Sequence, residues 1–154
     1  MTKGKAYSIK EVFLTVRDKP VVPVVLGKFK AKVVNSQEVF RAFVSLNERD
    51  VEQFIALHLD TGNSVRSIHV VSSGIVNAAL VHCREVFRAA IVNGATKIIV
   101  LHNHPSGSPS PSEEDVSITE KLVKAGKIIG IPVLDHIIVG GSTYYSFADK
   151  GRMG

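Results

Sequence analysis

The length, composition and charge of the chain fit one soluble globular domain. Its 154 residues are 45% hydrophobic, enough for a buried core, and carry a formal net charge of +5. No apolar run approaches the roughly 18 residues of a membrane-spanning helix, and the N-terminal MTKGKAYSIK is too polar for a secretory signal, so we expect a cytoplasmic protein. The single cysteine, Cys83, excludes an intramolecular disulfide and a cysteine-based zinc knuckle.

The basic excess lies in residues 1–32, which we interpret as an extended basic N-terminal lead. This lead holds eight basic and two acidic groups, whereas residues 33–154 hold 11 basic and 12 acidic groups. Pro20 and Pro23 interrupt its valine-rich part, which favours extended edge structure. The lead is either simply solvated or a contact for a polyanion such as nucleic acid. Pairing of an edge strand at 20–26 with a second copy, as a homo-oligomer, stays open.

The residues after the lead alternate between helix and strand patterns. In chain order, the sequence predicts a helix from Asn35 or Ser36 to about Asn47, strands at 52–60 and 64–72, a helix at about 81–92, a strand at 97–102, a helix from Ser112 to Gly130, and strands at 131–139 and 143–149. Short turns join the first two and the last two strands as hairpins. This interleaving is typical of an α/β or α+β fold.

The stretch HNHPSGSPSPSEED, residues 102–115, concentrates residues that bind metals. It follows the apolar strand KIIVLH, and alternation along an extended chain places His102 and His104 on one face with Asn103 on the other. The Pro/Gly/Ser loop ends regular structure and can return the chain so that Asp115 faces the histidines. Two histidines and one aspartate would leave a fourth position open to water, as in catalytic zinc sites.

The same residues also have an ordinary structural interpretation. Ser112-x-x-Asp115 before an apolar periodic run is the pattern of a helix capping box, although glutamate or glutamine is the usual third residue. A His-x-His pair on a surface often binds nothing. Spacing alone leaves the metal site and the capping box open.

Several motifs carry a family resemblance. His102-x-His104, seven residues, then Ser112-x-x-Asp115 resembles the pattern of JAMM (MPN-plus) metalloproteases, and HNHPSG followed by PSEED resembles the RadC branch of that family. LHLDTGN, VSSGIVNAALVH, REVFRAA and AGKIIGIPVLDHIIVG resemble RadC-type sequence in the same order. The resemblance covers roughly residues 33–150, and implies a RadC-like JAB/JAMM (MPN) domain there.

The resemblance implies a cytidine-deaminase-like JAMM/MPN fold, a mixed β-sheet flanked by helices, with zinc (Zn²⁺) at the end of the His-x-His strand. The metal ligands that it implies are His102, His104 and Asp115. It also implies an upstream glutamate that binds the water rather than the metal. Glu52, at the start of the first core strand, matches best, whereas Glu48 and Glu85 are the alternatives.

Such a site predicts a zinc-dependent hydrolase of a peptide or isopeptide bond in a protein or peptide substrate. Glu52 would accept a proton from metal-activated water and return it to the leaving amine, and the Ser112 hydroxyl would stabilise the oxygen that gains negative charge. The competing hypothesis is a RadC-type DNA-repair or mobile-element-associated factor that binds or processes DNA. The metal centre would then either act as a phosphodiesterase or be idle, and residues 1–32 would bind DNA. These residues lack the helical Gly-rich hairpins of the DNA-binding module in longer RadC-like proteins, which weakens that analogy.

The remaining histidines have mostly structural interpretations. His58 and His69 are strand residues without an acidic or thiol partner at ligand spacing, and His82 begins a helix. His136 differs, because the strand that carries it can pass near the site, where the side chain would orient a ligand histidine. Cys83 is expected to pack in the interior.

Overall fold

The computed structural model describes residues 32–74 and 81–154. The predicted lead and its edge strand therefore lie almost entirely outside the described residues. The elements in the described ranges are α1 (Ser36–Phe43), a 3-10 helix (Val44–Glu48), β1 (Glu52–Leu59), β2 (Val65–Gly74), α2 (Cys83–Val92), β3 (Lys97–Asn103), α3 (Glu113–Ile129), β4 (Val133–Gly140) and β5 (Thr143–Ser146). Within these ranges, no helix has the length and apolarity needed to cross a membrane.

The helix ends follow the local chemistry of the sequence. Asn35 caps α1 by accepting a hydrogen bond from the Glu38 amide at 2.9 Å. The single helix predicted up to Asn47 is instead an α-helix that tightens into a 3-10 helix after Phe43, a common way for a last turn to end. Helix α3 ends at Gly130, whose φ of 80° is the left-handed conformation that glycine adopts without strain.

Five strands form one mixed sheet in the order β2-β1-β3-β4-β5. Strand β1 is antiparallel to both β2 and β3, β3 and β4 are parallel, and β4 and β5 are antiparallel. The two predicted hairpins are thus confirmed as β1–β2 and β4–β5. The register places Phe54 opposite His102, so the start of β1 lies beside the end of β3.

The sheet has an apolar cluster on each face, and β3 contributes to both. Ile98 and Val100 pack with residues of α2 and α3, whereas Ile99 and Leu101 pack with α1 and the 3-10 helix. Burial of each such side chain stabilises the fold by roughly 1.5–3 kcal/mol. The predicted mixed sheet flanked by helices is confirmed, and alternation along β3 directs His102 toward α3.

Candidate metal centre

His102 and His104 converge at the end of β3. Strand β3 ends at Asn103, but the His104 amide still donates to the Val139 carbonyl of β4 at 2.9 Å, which prolongs the extended backbone. Both imidazoles consequently lie on the α3 side, as the alternation predicted. Their Nε2 atoms are 3.0 Å apart, and the His102 side chain is fully buried.

Asn103 points to the opposite face and ties β3 to the start of β1. Its Oδ1 accepts a hydrogen bond from the Gln53 amide at 2.8 Å, and its Nδ2 donates to the Val51 carbonyl at 3.1 Å. These two bonds flank Glu52 on both sides along the chain. The residue between the two histidines thereby holds the backbone that presents the glutamate.

Glu52 brings its carboxylate to the two histidines. Its Oε1 is 3.6 Å from the His102 Nε2, and ligand atoms of Glu52, His102 and His104 all lie within 4.8 Å of one another. Burial raises the pKa of the Glu52 carboxyl, although the neighbouring imidazoles oppose that effect. The two alternative glutamates lie outside this cluster: Glu48 is exposed at the end of the 3-10 helix, and Glu85 pairs with Arg88 on α2.

Asp115 both caps helix α3 and contacts the two histidines. Its Oδ2 accepts from the Ser112 amide and the Ser112 hydroxyl, both at 2.8 Å, and its own amide donates to the Ser112 Oγ at 3.1 Å, which is a complete capping box. Its Oδ1 is 3.1 Å from the His102 Nε2, and its Oδ2 is 3.3 Å from the His104 Nε2. The capping box and the cluster with the histidines are therefore both present.

The cluster strongly attracts positive charge. Burial alone would raise the pKa of Asp115, but its hydrogen bonds with the two histidines outweigh burial and hold that pKa well below the usual range. The hydrogen bond with Asp115 raises the pKa of His104. His104 Nδ1 donates to the Ser108 carbonyl at 2.8 Å, which leaves Nε2 as the atom that faces the carboxylates. A proton or a metal cation fits among these atoms.

Two further polar side chains adjoin the histidines beneath the cluster. His136 of β4 lies with Nε2 2.8 Å from the His102 Nδ1, and its Nδ1 is 2.6 Å from the Thr119 hydroxyl. Burial lowers the pKa of His136 well below its usual value. The contact bears out the prediction that the His136 strand passes near the site. Thr119 was not predicted from the sequence, although its spacing of four residues from Asp115 on one helix could have indicated that it lies near the site.

A cleft with a volume of about 460 Å³ opens beside the cluster. Glu52, His104 and Asp115 line its polar side, while Phe54, Val81 and Ile118 supply apolar surface. Ser112 also lines this cleft. Its size is typical of a site that accommodates a small molecule or a short stretch of chain.

The histidines away from the cluster have structural surroundings. His58 is buried, with its Nδ1 2.8 Å from the Ser67 hydroxyl and 3.2 Å from the Asn93 side-chain amide. His82 occupies the N-cap position of α2 without a side-chain capping bond. Cys83 is half-buried and packs against the core, as predicted.

Comparison with known proteins identifies the family. A family model described as the RadC-like JAB domain matches residues 27–152. Relatives named only as UPF0758 proteins are 43% identical over 150 residues in Methanosarcina mazei, 48% over 122 in Clostridioides difficile and 52% over 102 in Alkaliphilus metalliredigens. Those matches cover 97%, 79% and 66% of this chain, which spans 64%, 52% and 44% of the respective relatives. The chain belongs to the RadC-like JAB domain family.

Proposed function

We propose that this chain is a zinc-dependent hydrolase that cleaves a peptide or isopeptide bond. The main support is that the Nε2 atoms of His102 and His104 lie 3.0–3.3 Å from each other and from the carboxylate oxygens of Asp115. Lone pairs at such distances repel one another unless a positive charge lies between them. Imidazole nitrogen and carboxylate oxygen are ordinary zinc ligands, and three of them leave one coordination position open.

His102, His104 and Asp115 would hold the metal. When bound, zinc would supply a Lewis acid that makes a water molecule acidic near neutral pH and polarises a carbonyl group. The Asp115 carboxylate is ionised at neutral pH and the capping box fixes its orientation. The cluster is thus preorganised as a metal site should be.

Glu52 and Ser112 would carry the proton and the developing charge. The Glu52 carboxylate is near the histidines, lines the cleft and has a raised pKa, which suits a base that takes a proton from water and gives it to the leaving amine. The Ser112 hydroxyl donates to Asp115 in the absence of substrate and can turn toward a substrate oxygen in the cleft.

Metal analysis and peptide hydrolysis test this proposal together. We expect about one zinc per chain in protein purified without added metal, and loss of that zinc in His104→Ala and in Asp115→Ala. His82→Ala removes an exposed histidine outside the cluster and should keep the metal. Cleavage of a library of peptides and lysine isopeptides should be abolished by a chelator and restored by zinc. A wild-type protein that takes up no zinc when offered it would refute the proposal.

DNA binding through the basic lead is a second candidate function, favoured by the charge distribution. The net charge of residues 1–32 is +6, whereas the rest of the chain is nearly neutral. If the lead binds DNA, the association constant should fall steeply with salt, with a logarithmic slope of about −0.9 per phosphate contacted. Glutamine at its eight basic positions in the full chain should remove that slope. Binding with the same slope in this variant would exclude the lead as the DNA contact.

A further inference from the structure

We propose that Thr119 and His136 are positioning residues that fix the imidazole proton of His102 on Nδ1 and so keep its Nε2 available to the metal. This inference rests on the proposed function only for its consequence, metal affinity. The proton arrangement itself follows from the hydrogen bonds of the described residues.

The direction of each hydrogen bond follows from the number of protons available. The Thr119 Oγ1 lies 2.5 Å from the backbone carbonyl oxygen of Asp115, which can only accept, so the single hydroxyl proton is donated there. The second partner of Oγ1, the His136 Nδ1 at 2.6 Å, must then donate to it. A neutral His136 with its proton on Nδ1 has a lone pair on Nε2.

That lone pair fixes the neighbouring histidine in turn. The His136 Nε2 is 2.8 Å from the His102 Nδ1, so the proton between them belongs to His102 Nδ1. When His102 is neutral, as a metal ligand must be, its Nε2 is then the nitrogen without a proton. It is this atom that faces His104, Asp115 and Glu52. The opposite tautomer would place a proton where the metal is to bind.

Burial prevents these groups from exchanging partners with water. His102 and His136 are fully buried and Thr119 is 1% exposed. The Phe147 ring stacks on the His136 ring at 5.0 Å, and Phe54 stacks on the His102 ring at 5.7 Å. An unpaired polar group in such a buried place is destabilising, so reversal of any one of these bonds is penalised.

The chain of hydrogen bonds also joins the two metal-binding elements. It begins at the carbonyl of Asp115 on α3 and ends at His102 on β3, with His136 of β4 between them. Because Thr119 follows Asp115 by one helical turn, the helix that supplies one ligand also sets the proton of another. Hydrogen-bond partners of this kind typically change metal affinity by about 10- to 100-fold when removed.

Long-range ¹H–¹⁵N spectra of the histidine nitrogens in the full metal-free chain, in slightly alkaline buffer, test the proton arrangement directly. We expect the proton on Nδ1 in both His102 and His136. A proton on Nε2 of either residue would overturn the proposal. Since these spectra need no metal, the tautomers are decided even if the chain binds no zinc and the proposed function fails.

A matched pair of variants tests the consequence. Thr119→Val removes the hydroxyl at nearly constant volume, whereas Thr119→Ser keeps it. Competition with a chromogenic chelator should show zinc affinity about 10-fold or more lower in Thr119→Val and within about threefold of wild type in Thr119→Ser. In the valine variant, the spectra should show a proton moved to the His136 Nε2.

The outcomes separate a positioning role from a merely structural one. Equal zinc affinity in the valine variant and the wild type, or equal loss in the valine and serine variants, would contradict the proposal. Unfolding free energies of the metal-free variants report packing separately from affinity. If Thr119→Val fails to fold, the tautomers of the wild type and the zinc affinity of Thr119→Asn, which offers a side-chain acceptor, decide the question. The asparagine variant should bind zinc more weakly if its tautomers differ from those of the wild type, and equally well if they match. Either opposite result would contradict the proposal.

Discussion

We predict separate roles for individual side chains in the cluster. Glu52 is farther from His102 Nε2, at 3.6 Å, than Asp115 is, at 3.1 Å, which suits a group that binds water instead of the metal. We predict that Glu52→Gln keeps about one zinc per chain and lowers the rate of amide hydrolysis by about 10²- to 10⁴-fold, because the glutamine side chain cannot take a proton from water.

Metal content and turnover of the same preparations check the Glu52 prediction. Glu48→Gln, at the exposed end of the 3-10 helix, is the matched control and should retain both properties. Full turnover in Glu52→Gln would remove this residue from the role of base, whereas loss of zinc would make it a ligand.

Away from the cluster, we predict that His58 makes the stability of the fold depend on pH. Burial lowers its pKa from 6.5 to about 4 in the folded chain. The unfolded chain then binds more protons between pH 6.5 and 4, so stability is full above this window and falls as the pH decreases through it. His58→Gln should remove about 2–3 kcal/mol of this loss in metal-free protein.

Denaturant unfolding at several pH values checks the His58 prediction. His82→Gln changes an exposed histidine and should keep the wild-type slope of stability against pH. An identical slope in His58→Gln and wild type would mean that His58 does not stay neutral in the folded chain.

At the scale of elements, the end of β4 supports the loop between β3 and α3. A Cβ atom at Gly140 would lie 2.6 Å from the carbonyl carbon of Ser108 and would also meet Pro109. Ser108 provides the carbonyl that accepts from His104 Nδ1. Gly140→Ala should therefore displace the loop, cost about 1–3 kcal/mol of stability and weaken zinc binding about 10-fold, although residue 140 is not itself a predicted ligand.

Zinc competition and unfolding measurements check the Gly140 prediction. Ser142→Ala, at an exposed position in the adjacent β4–β5 turn, should leave both quantities within error. Unchanged zinc affinity in Gly140→Ala would show that the loop can shift without losing the orientation of His104.

At the scale of the whole molecule, the metal would join elements that are distant in sequence. The cluster combines the start of β1, the end of β3 and the first turn of α3. A ligand that binds only the folded chain stabilises it by about 2.7 kcal/mol at 100 times its Kd. Zinc at that concentration should raise the Tm by about 5–10 °C.

Calorimetry with zinc, magnesium and chelator checks this prediction. His104→Gln should lose the increment, and magnesium should give far less because it prefers an all-oxygen octahedral site. An increment of equal size in His104→Gln would assign the stabilisation to another place on the chain.

Most of the local structure was predictable, because its causes are local. The caps of α1 and α3, the hairpin turns and the alternation along β3 depend on residues at most four positions apart or on short turns. Ser112 and Asp115 are three positions apart, which is why the sequence indicated them together. The 3-10 helix after Phe43 was not predicted, since helix propensity does not distinguish a last turn with 3-10 geometry from one with α-helical geometry.

The element order, the His-x-His face and the capping box follow from the sequence alone, whereas the pairing of the strands brings distant groups to them. Glu52 reaches His102 because β1 lies antiparallel to β3, and His136 reaches it because β4 lies parallel on the other side. Sheet order and register join residues 50 and 34 positions apart by packing on both faces of the sheet. No periodicity within one segment encodes such pairings, so only the fold reveals which glutamate lies near the histidines and that Thr119 contacts His136.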